Sequence, residues 1–403
     1  NLDRRVLERT VELARSTREF DAKKLPKSLR VAMDSSPLEG AGRVEDTINL
    51  LAHAARNVAM CAATLLDRPF DDICHHAGIP LLRAKSVKAG LDRVWSEAGE
   101  KAEALNELLD EIASLERWVE HAMSEELKSP PLRDDVQTLH QLLEQDIEPD
   151  PDGGARQRIR KGVAAERRVS IEDPEMRHGR KSKSKKFNGY KRHIAKDVDS
   201  CLILAAALTP ANRPEQEAAA TLVADIEHLG GTIGELLIDR GYIASQAAKE
   251  IRSAGGSVTC RPWTYRNGGL FTKADFQICL ETNVVTCPAG QAEPFQLGQS
   301  LEFPPNVCGE CDLRRRCTKA KVSRGRSIRI STDEPLQQEL RASAATPAGR
   351  ERLRERVTVE HSLAHIGQRQ GRRARYFTAR SNLFDLRRAS ALKNLETAQR
   401  KAA

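Results

Sequence analysis

Two short apolar runs in the chain each end on an acidic residue. They are Leu29-Arg-Val-Ala-Met-Asp34, stopped by Pro37, and Gly234-Glu-Leu-Leu-Ile-Asp239, followed by Arg240-Gly241-Tyr242. Such runs predict strands that deliver the acidic residue to their carboxyl ends, where sites in open α/β sheets form. Phe187 to Ala195 and Cys201 to Leu208, joined around Asp199-Ser200, predict a β-hairpin whose second strand is broken at Pro210 to Pro214. Ala218, Ala219, Leu222, Val223, Ile226 and Leu229 recur at helical spacing before Gly230-Gly231. A second helix from about Ser245 to Ala254 leads to a short strand, Val258 to Arg261. Strand, hairpin, helix, strand, helix, strand is the order of a mixed α/β sheet.

Longer helical patterns interrupt that sheet. Residues 1–28 predict a residual N-terminal helix and a basic connector (Lys23, Lys24, Lys27), and residues 29–44 hold the first core strand. Over 45–148, stripes such as Ile48, Leu51, Ala55 and Val58, or Leu105, Leu108, Ile112, Leu115 and Val119, predict a helical insertion, with Asp46 as a cap. Residues 149–186 form a basic linker that opens on turn residues, and 187–261 resume the core. A Cys-rich insertion spans 262–327, with Ser327 to Ile330 as a returning strand, and 328–403 supply helices broken at Pro347 and Gly371.

Charge narrows the class of partner. The chain has 403 residues, a formal charge of +8, 30% charged and 4% aromatic residues. Arg156, Arg158, Arg160, Lys161, Arg167 and Arg168 precede a run from Arg177 to Lys186 with six Lys or Arg in ten positions, Lys183, Lys185 and Lys186 among them. A second group, Arg369, Arg372, Arg373, Arg375, Arg380, Arg387 and Arg388, lies near the C-terminus beside Tyr376 and Phe377. Clustered cations predict a polyanion partner, and aromatic rings among them can stack on unpaired bases. No apolar run of about 18 residues and no charged-then-apolar leader occurs, which predicts a cytoplasmic, nucleoid-associated chain without membrane contact. The start at Asn1, inside a helical pattern, suggests a fragment lacking an N-terminal part.

Candidate chemistry rests on Asp34, Asp239 and Glu360. Glu360 sits at the margin of a helical face formed by Val357, Val359, Leu363 and Ile366. Three carboxylates from two strand ends and one helix suit divalent cations in phosphoryl transfer, because hard cations take oxygen ligands. Taken singly, each aspartate could equally be a turn or cap residue. His361 and His365 read as satisfied or solvent-facing side chains, and no Gly-rich nucleotide loop is visible. Of nine cysteines, Cys61, Cys74, Cys201, Cys260 and Cys279 are scattered, whereas Cys287, Cys308, Cys311 and Cys317 cluster. That cluster predicts a four-thiolate structural zinc site in a segment too polar to form a core unaided, the alternative being four buried thiols.

From roughly residue 29 to 396 the chain resembles the Asp-Asp-Glu transposases of bacterial insertion sequences, members of the ribonuclease H-like and retroviral-integrase superfamily. The motifs are Asp34-Ser-Ser-Pro37 with Gly40 to Thr47, Phe187 to His193, Thr209-Pro-Ala-Asn212, Asp239-Arg-Gly-Tyr242, and Arg356-Val-Thr-Val-Glu360. Arg356 matches an arginine often found four residues before the catalytic Glu, while Leu353 and Gly367 stand where the family often has Tyr and Lys. The resemblance implies a ribonuclease H-like mixed sheet flanked by helices and carrying the two insertions, with Asp34, Asp239 and Glu360 as catalytic ligands of two Mg²⁺ or Mn²⁺ ions. It further implies cleavage of element ends and transfer of a 3′-OH to target DNA by a homo-oligomer on double-stranded DNA. Arg356, Arg369, Lys183, Lys185, Lys186, Arg372, Arg373 and Arg375 are the expected DNA contacts. A metal-dependent nuclease that never joins ends, or an inactive DNA-binding remnant, are the alternatives.

Overall fold

The computed structural model describes residues 2–16, 28–84, 86–91, 95, 97–151 and 156–402. The connector lysines Lys23, Lys24 and Lys27 and part of the Pro/Gly linker lie outside these ranges. The central sheet is built from β1 (Leu29–Glu39), β2 (Lys186–Asp197), β3 (Ile203–Pro210), β4 (Ile233–Leu237) and β5 (Ser257–Thr259). Its spatial order is β3-β2-β1-β4-β5, with β2 antiparallel to β1 and β3, and β4 parallel to β1 and β5. Strands β1, β3 and β4 therefore run in one direction, and their carboxyl ends share one rim of the sheet. This is the mixed sheet expected of a ribonuclease H-like core.

Side-chain alternation sends β1 residues to two cores. Val31 and Met33 pack with Leu204, Leu236 and the helices α5 (Glu217–His228) and α6 (Gln246–Ser253). Ala32 faces the opposite way, toward Val359, Leu363 and Ile366 of α9 (Val357–Gln370) and Leu386 and Ala389 of α10 (Ala379–Ala402). Asp34 shares the parity of Ala32, which puts its carboxylate on the α9 side. The N-terminal helix α1 (Leu2–Ser16) lies along α10, as Arg387 shows by reaching Asp3 at 2.6 Å and Asp225 of α5 at 3.3 Å.

Three expectations are corrected. The first strand does not end on Asp34: β1 continues through Pro37, paired with β2 as far as Glu39–Gly189. Parallel β4 accompanies β1 only to Ala32, so the far half has one open edge, where proline is tolerated. Glu39 then gains Arg372 and Ala374 as backbone partners, at 3.0 and 2.6 Å. Second, the stretch read as a basic linker is partly built into the sheet, because Arg177–Arg180 forms a strand on the start of β2, while Arg167 holds the buried Asp146 at 2.6 Å. Third, Ser327–Arg329 pairs with Ser300–Glu302 inside the Cys-rich segment instead of returning to the central sheet.

That segment also owns a small core, in which Phe276, Val285, Phe295, Phe303, Ile328 and Ile330 are buried together. Cys287, Cys308 and Cys317 pack against that core, half-buried. The helical insertion likewise has its own core, built from α2 (Thr47–Leu65), α3 (Ala98–Ala122) and α4 (Leu132–Asp146).

Buried polar groups lock α10 to the sheet. Asn394 is fully buried, accepts from Ile203 N at 2.8 Å and donates to Ile203 O at 2.9 Å, which satisfies both backbone groups of that β3 residue. Asn394→Ala leaves those groups unpaired and is expected to cost about 2 kcal/mol or more. Denaturant unfolding checks this, and a midpoint unchanged from the wild type would show that α10 is held by packing alone.

Candidate functional site

At the rim where β4 ends, beside the second half of β1, lies a cleft of about 710 Å³. Asp34, Asp239 and Glu360 all line it, although β1, the residues after β4, and α9 supply them from distant parts of the sequence. Asp239 follows the last residue of β4 by two positions, and its Oδ1 accepts from Gly241 N at 2.8 Å, an Asx-type turn that stops the strand. Asp34 Oδ1 accepts from Ser35 N at 2.7 Å. Glu360, one turn into α9, is exposed toward the cleft while Val359 and Leu363 anchor the helix in the core.

Arg356 stands between two of these acids. Its guanidinium donates to Asp34 Oδ2 at 3.0 Å and to the Glu360 carboxylate one helical turn away. Burial pulls its pKa down, but the charges of Asp34 and Glu360 outweigh that and raise it. Burial also raises the pKa of Asp34. Asp239 is pushed up to about 6, by burial first and then by the neighbouring charges of Glu215 and Asp34. The site is thus a partly desolvated group of like charges, the environment in which functional carboxylates are found.

Among the described residues no group of three or more His, Cys, Asp or Glu stands placed to hold a metal ion. At the carboxylate cleft Arg356 stands between Asp34 and Glu360 and pairs with both. The donor set still suits a hard divalent cation, being made of carboxylate oxygens with an arginine as the cation that currently neutralises them. Cys287, Cys308, Cys311 and Cys317 line one separate cleft, and Arg326 N donates to Cys308 Sγ at 3.5 Å. Their placement lends the zinc reading no support.

Cations surround the carboxylates. Lys185 and Lys186 line the cleft as expected, joined by Arg180, Lys181, Lys191, Arg192 and Arg372, while Lys183 is exposed on the turn before β2. The C-terminal arginines are partly committed to the protein itself. Arg369 pairs with Glu396, Arg372 with Glu39, Arg373 donates to Ala41 O at 2.9 Å, and Arg375 to Arg369 O at 2.7 Å. Arg387, read from sequence as part of a basic tail, is buried in its ion pairs. His361 and His365 are both exposed.

Sequence reasoning missed Glu215, which lines the cleft and accepts from Ser35 Oγ at 2.5 Å. A signal existed: β3 runs parallel to β1, so the segment after β3 had to emerge at the same rim. It also missed the polar chain behind the site. The Tyr242 hydroxyl bonds Ser35 and lies 2.6 Å from His193 Nδ1, and His193 Nε2 lies 2.8 Å from Thr209 Oγ1.

The model of the transposase DDE domain family matches residues 160–391. The chain belongs to that family. The matched stretch covers β2 to β5, Asp239, α9 with Glu360, and most of α10, whereas β1 with Asp34 and the helical insertion precede it. No curated protein and no solved structure matches the transposase chain. Its described residues include no helix long and apolar enough to cross a membrane.

The buried His193 gives a pH-dependent contribution that can be isolated. Burial, and then the charge of Lys191, lower its pKa to about 3, so it stays neutral in the folded protein, while in the unfolded chain it takes up a proton below its ordinary value of 6.5. Stability from this residue is therefore complete above about pH 6.5 and falls as pH drops toward 3, by about 1.4 kcal/mol per pH unit. Between pH 7 and 5 the wild type should lose about 2 kcal/mol that His193→Gln does not lose. Parallel pH dependences in urea unfolding of the two proteins would show that His193 is not held neutral.

Proposed function

We propose that this transposase cleaves the ends of an insertion sequence and transfers the resulting 3′-OH to target DNA at the cleft holding Asp34, Asp239 and Glu360. The observation that carries the reading is the convergence of three acids, remote in sequence, on one desolvated rim inside a chain of the DDE transposase family. Two Mg²⁺ or Mn²⁺ ions are the expected cofactors, and when bound they supply Lewis-acid stabilisation of the phosphate charge. Asp34, Asp239 and Glu360 are the residues that would hold those ions. Arg356 holds Asp34 and Glu360 side by side. Lys185, Lys186, Lys191 and Arg180 line the approach and neutralise backbone phosphates, with Lys183, Arg369, Arg372, Arg373 and Arg375 as further contacts at the rim.

Hydrolysis and joining then differ only in the nucleophile. In the first, a water oxygen forms the new P–O bond and the 3′-oxygen leaves; in the second, that freed 3′-OH attacks a target phosphate and another 3′-oxygen leaves. One site serves both, and a homo-oligomer is the arrangement that brings two element ends together.

Asp34→Asn, Asp239→Asn and Glu360→Gln are each expected to lower Mg²⁺-dependent cleavage by about 10³-fold or more while DNA binding persists, since several kcal/mol of charge stabilisation is removed without touching the lysines. The assay incubates labelled element-end DNA with protein and Mg²⁺ and resolves cleaved from joined products. Near-normal cleavage by one variant removes that residue from the site; cleavage without joining by the wild type favours the nuclease reading.

Zinc on Cys287, Cys308, Cys311 and Cys317 is carried by the spacing of the cysteines alone. It requires about one zinc per chain by elemental analysis of the purified protein, reduced in Cys308→Ser, and a zinc-free wild type would leave four ordinary thiols.

A further inference from the structure

Several buried or half-buried acids in this protein are paired with cations: Asp146 has Arg167, Asp225 has Arg4 and Arg387, Glu235 has Arg30, and Glu334 has Lys273 and Arg341. Others, Asp173 and Asp197, are buried and held by hydroxyl or backbone donors, away from the cleft. Glu215 lies at the cleft itself. It is half-buried there, the described residues give it no Lys or Arg partner, and its side chain accepts from the Ser35 hydroxyl instead. Asp239 is in the same position, held by a backbone N–H and reached by no direct arginine contact. Arg356 neutralises the Asp34–Glu360 side of the cleft, so the Asp239–Glu215 side carries the uncompensated charge.

The backbone between them is shaped to allow this. A Cβ placed on Gly241 would collide with Glu215 Oε2 and stand 3.1 Å from Asp239 Oδ1. The two carboxylates therefore border one small space above Gly241, kept open by the missing side chain. Ser35, adjacent to Asp34, donates to one carboxylate oxygen of Glu215 and is itself bonded to the buried Tyr242 hydroxyl. A glutamate with only a structural role would gain nothing from being set against two like charges.

We infer that Glu215 is a fourth carboxylate of the site, contacting the divalent cation on the Asp239 side, with Ser35 and Gly241 positioning it. The inference rests on the proposed metal-dependent reading of the cleft. It assigns Gly241 of the Asp-Arg-Gly-Tyr motif a defined task, which is to leave room for a residue from another strand end.

The test measures binding of Mn²⁺ alone to the full chain, by titration calorimetry and by the electron paramagnetic resonance signal of free Mn²⁺. Glu215→Gln is expected to weaken Mn²⁺ binding about 10-fold or more, and Gly241→Ala to do the same with every carboxylate retained, because the methyl group displaces Glu215. Circular dichroism melts confirm that each variant is folded, and Glu215→Asp should recover part of the affinity. Asp239→Asn run in parallel separates the two readings. If Asp239→Asn weakens Mn²⁺ binding and neither Glu215→Gln nor Gly241→Ala does, Glu215 is not a ligand and the cleft remains a metal site. If none of the three changes Mn²⁺ binding, the metal reading of the cleft itself fails.

Discussion

Carboxylates gathered at one rim of a sheet repel one another, and the pairing of Arg356 with Asp34 and Glu360 is what allows the rest of the site to exist. Two like charges about 4 Å apart at an effective dielectric near 20 repel by about 4 kcal/mol, so an uncompensated group of four would oppose folding. One guanidinium donating to both a strand residue and a helix residue offsets part of that repulsion and fixes α9 against β1. Asp239 is pushed up to about 6 by burial first and by the charges of Glu215 and Asp34 second. Crowding of this kind, which disfavours like charges side by side, favours any partner of opposite charge.

Topology explains why such distant residues meet. Because β1, β3 and β4 point the same way, Glu215 after β3 and Asp239 after β4 arrive beside Asp34 and Ser35, which lie in the middle of β1 just past the end of β4. The helix α9 completes the group from the side, anchored by Val359, Leu363 and Ile366 on the face that Ala32 shares. The polar chain from Ser35 through Tyr242 and His193 to Thr209 links β1, the turn after β4, β2 and β3 below that rim. A neutral His193 there donates and accepts at once, so the strands are tied together without adding charge beneath the carboxylates.

Much of this was legible in the residue order. The strand, hairpin, helix pattern, the motifs around Asp34, Asp239 and Glu360, and the Arg356 spacing all anticipated residues that line one cleft. What sequence could not reveal was partnership. The length of β1 depended on having an open edge beyond Ala32, which no local pattern records. The basic tail looked like a DNA-binding face, yet Arg387 is spent on Asp3 and Asp225, and Arg373 on backbone carbonyls, because charge in a sequence carries no information about which acid lies opposite. Glu215 was overlooked for the converse reason: it sits in a Pro-rich break that reads as a turn, and its meaning appears only with the parallel direction of β3. In the Cys-rich segment, average polarity concealed the six large side chains that converge on one cluster.

The long helical insertion separates Asp34 and Ser35 from Glu215, Asp239 and Glu360 along the chain, and the sheet stays registered across it. Its entry and exit are fastened together: Gly40 N reaches Asn188 O at 2.8 Å, Arg43 N reaches Glu172 at 2.7 Å, and Glu45 N reaches Val169 O at 3.4 Å. Closing a longer loop costs little more than closing a shorter one once the ends are held, and a domain with its own buried stripe offsets its own ordering. The insertion can therefore be long while β1 stays registered on β2 from Val31 to Glu39. The same logic holds for the Cys-rich segment, which leaves the core after β5 and returns at α7 (Glu334–Ala345), where Glu334 meets Lys273 and Arg341. Both insertions are self-cored bodies tied at their necks, and so the carboxylate rim depends on strand direction and on Arg356, not on the distance along the chain between its members.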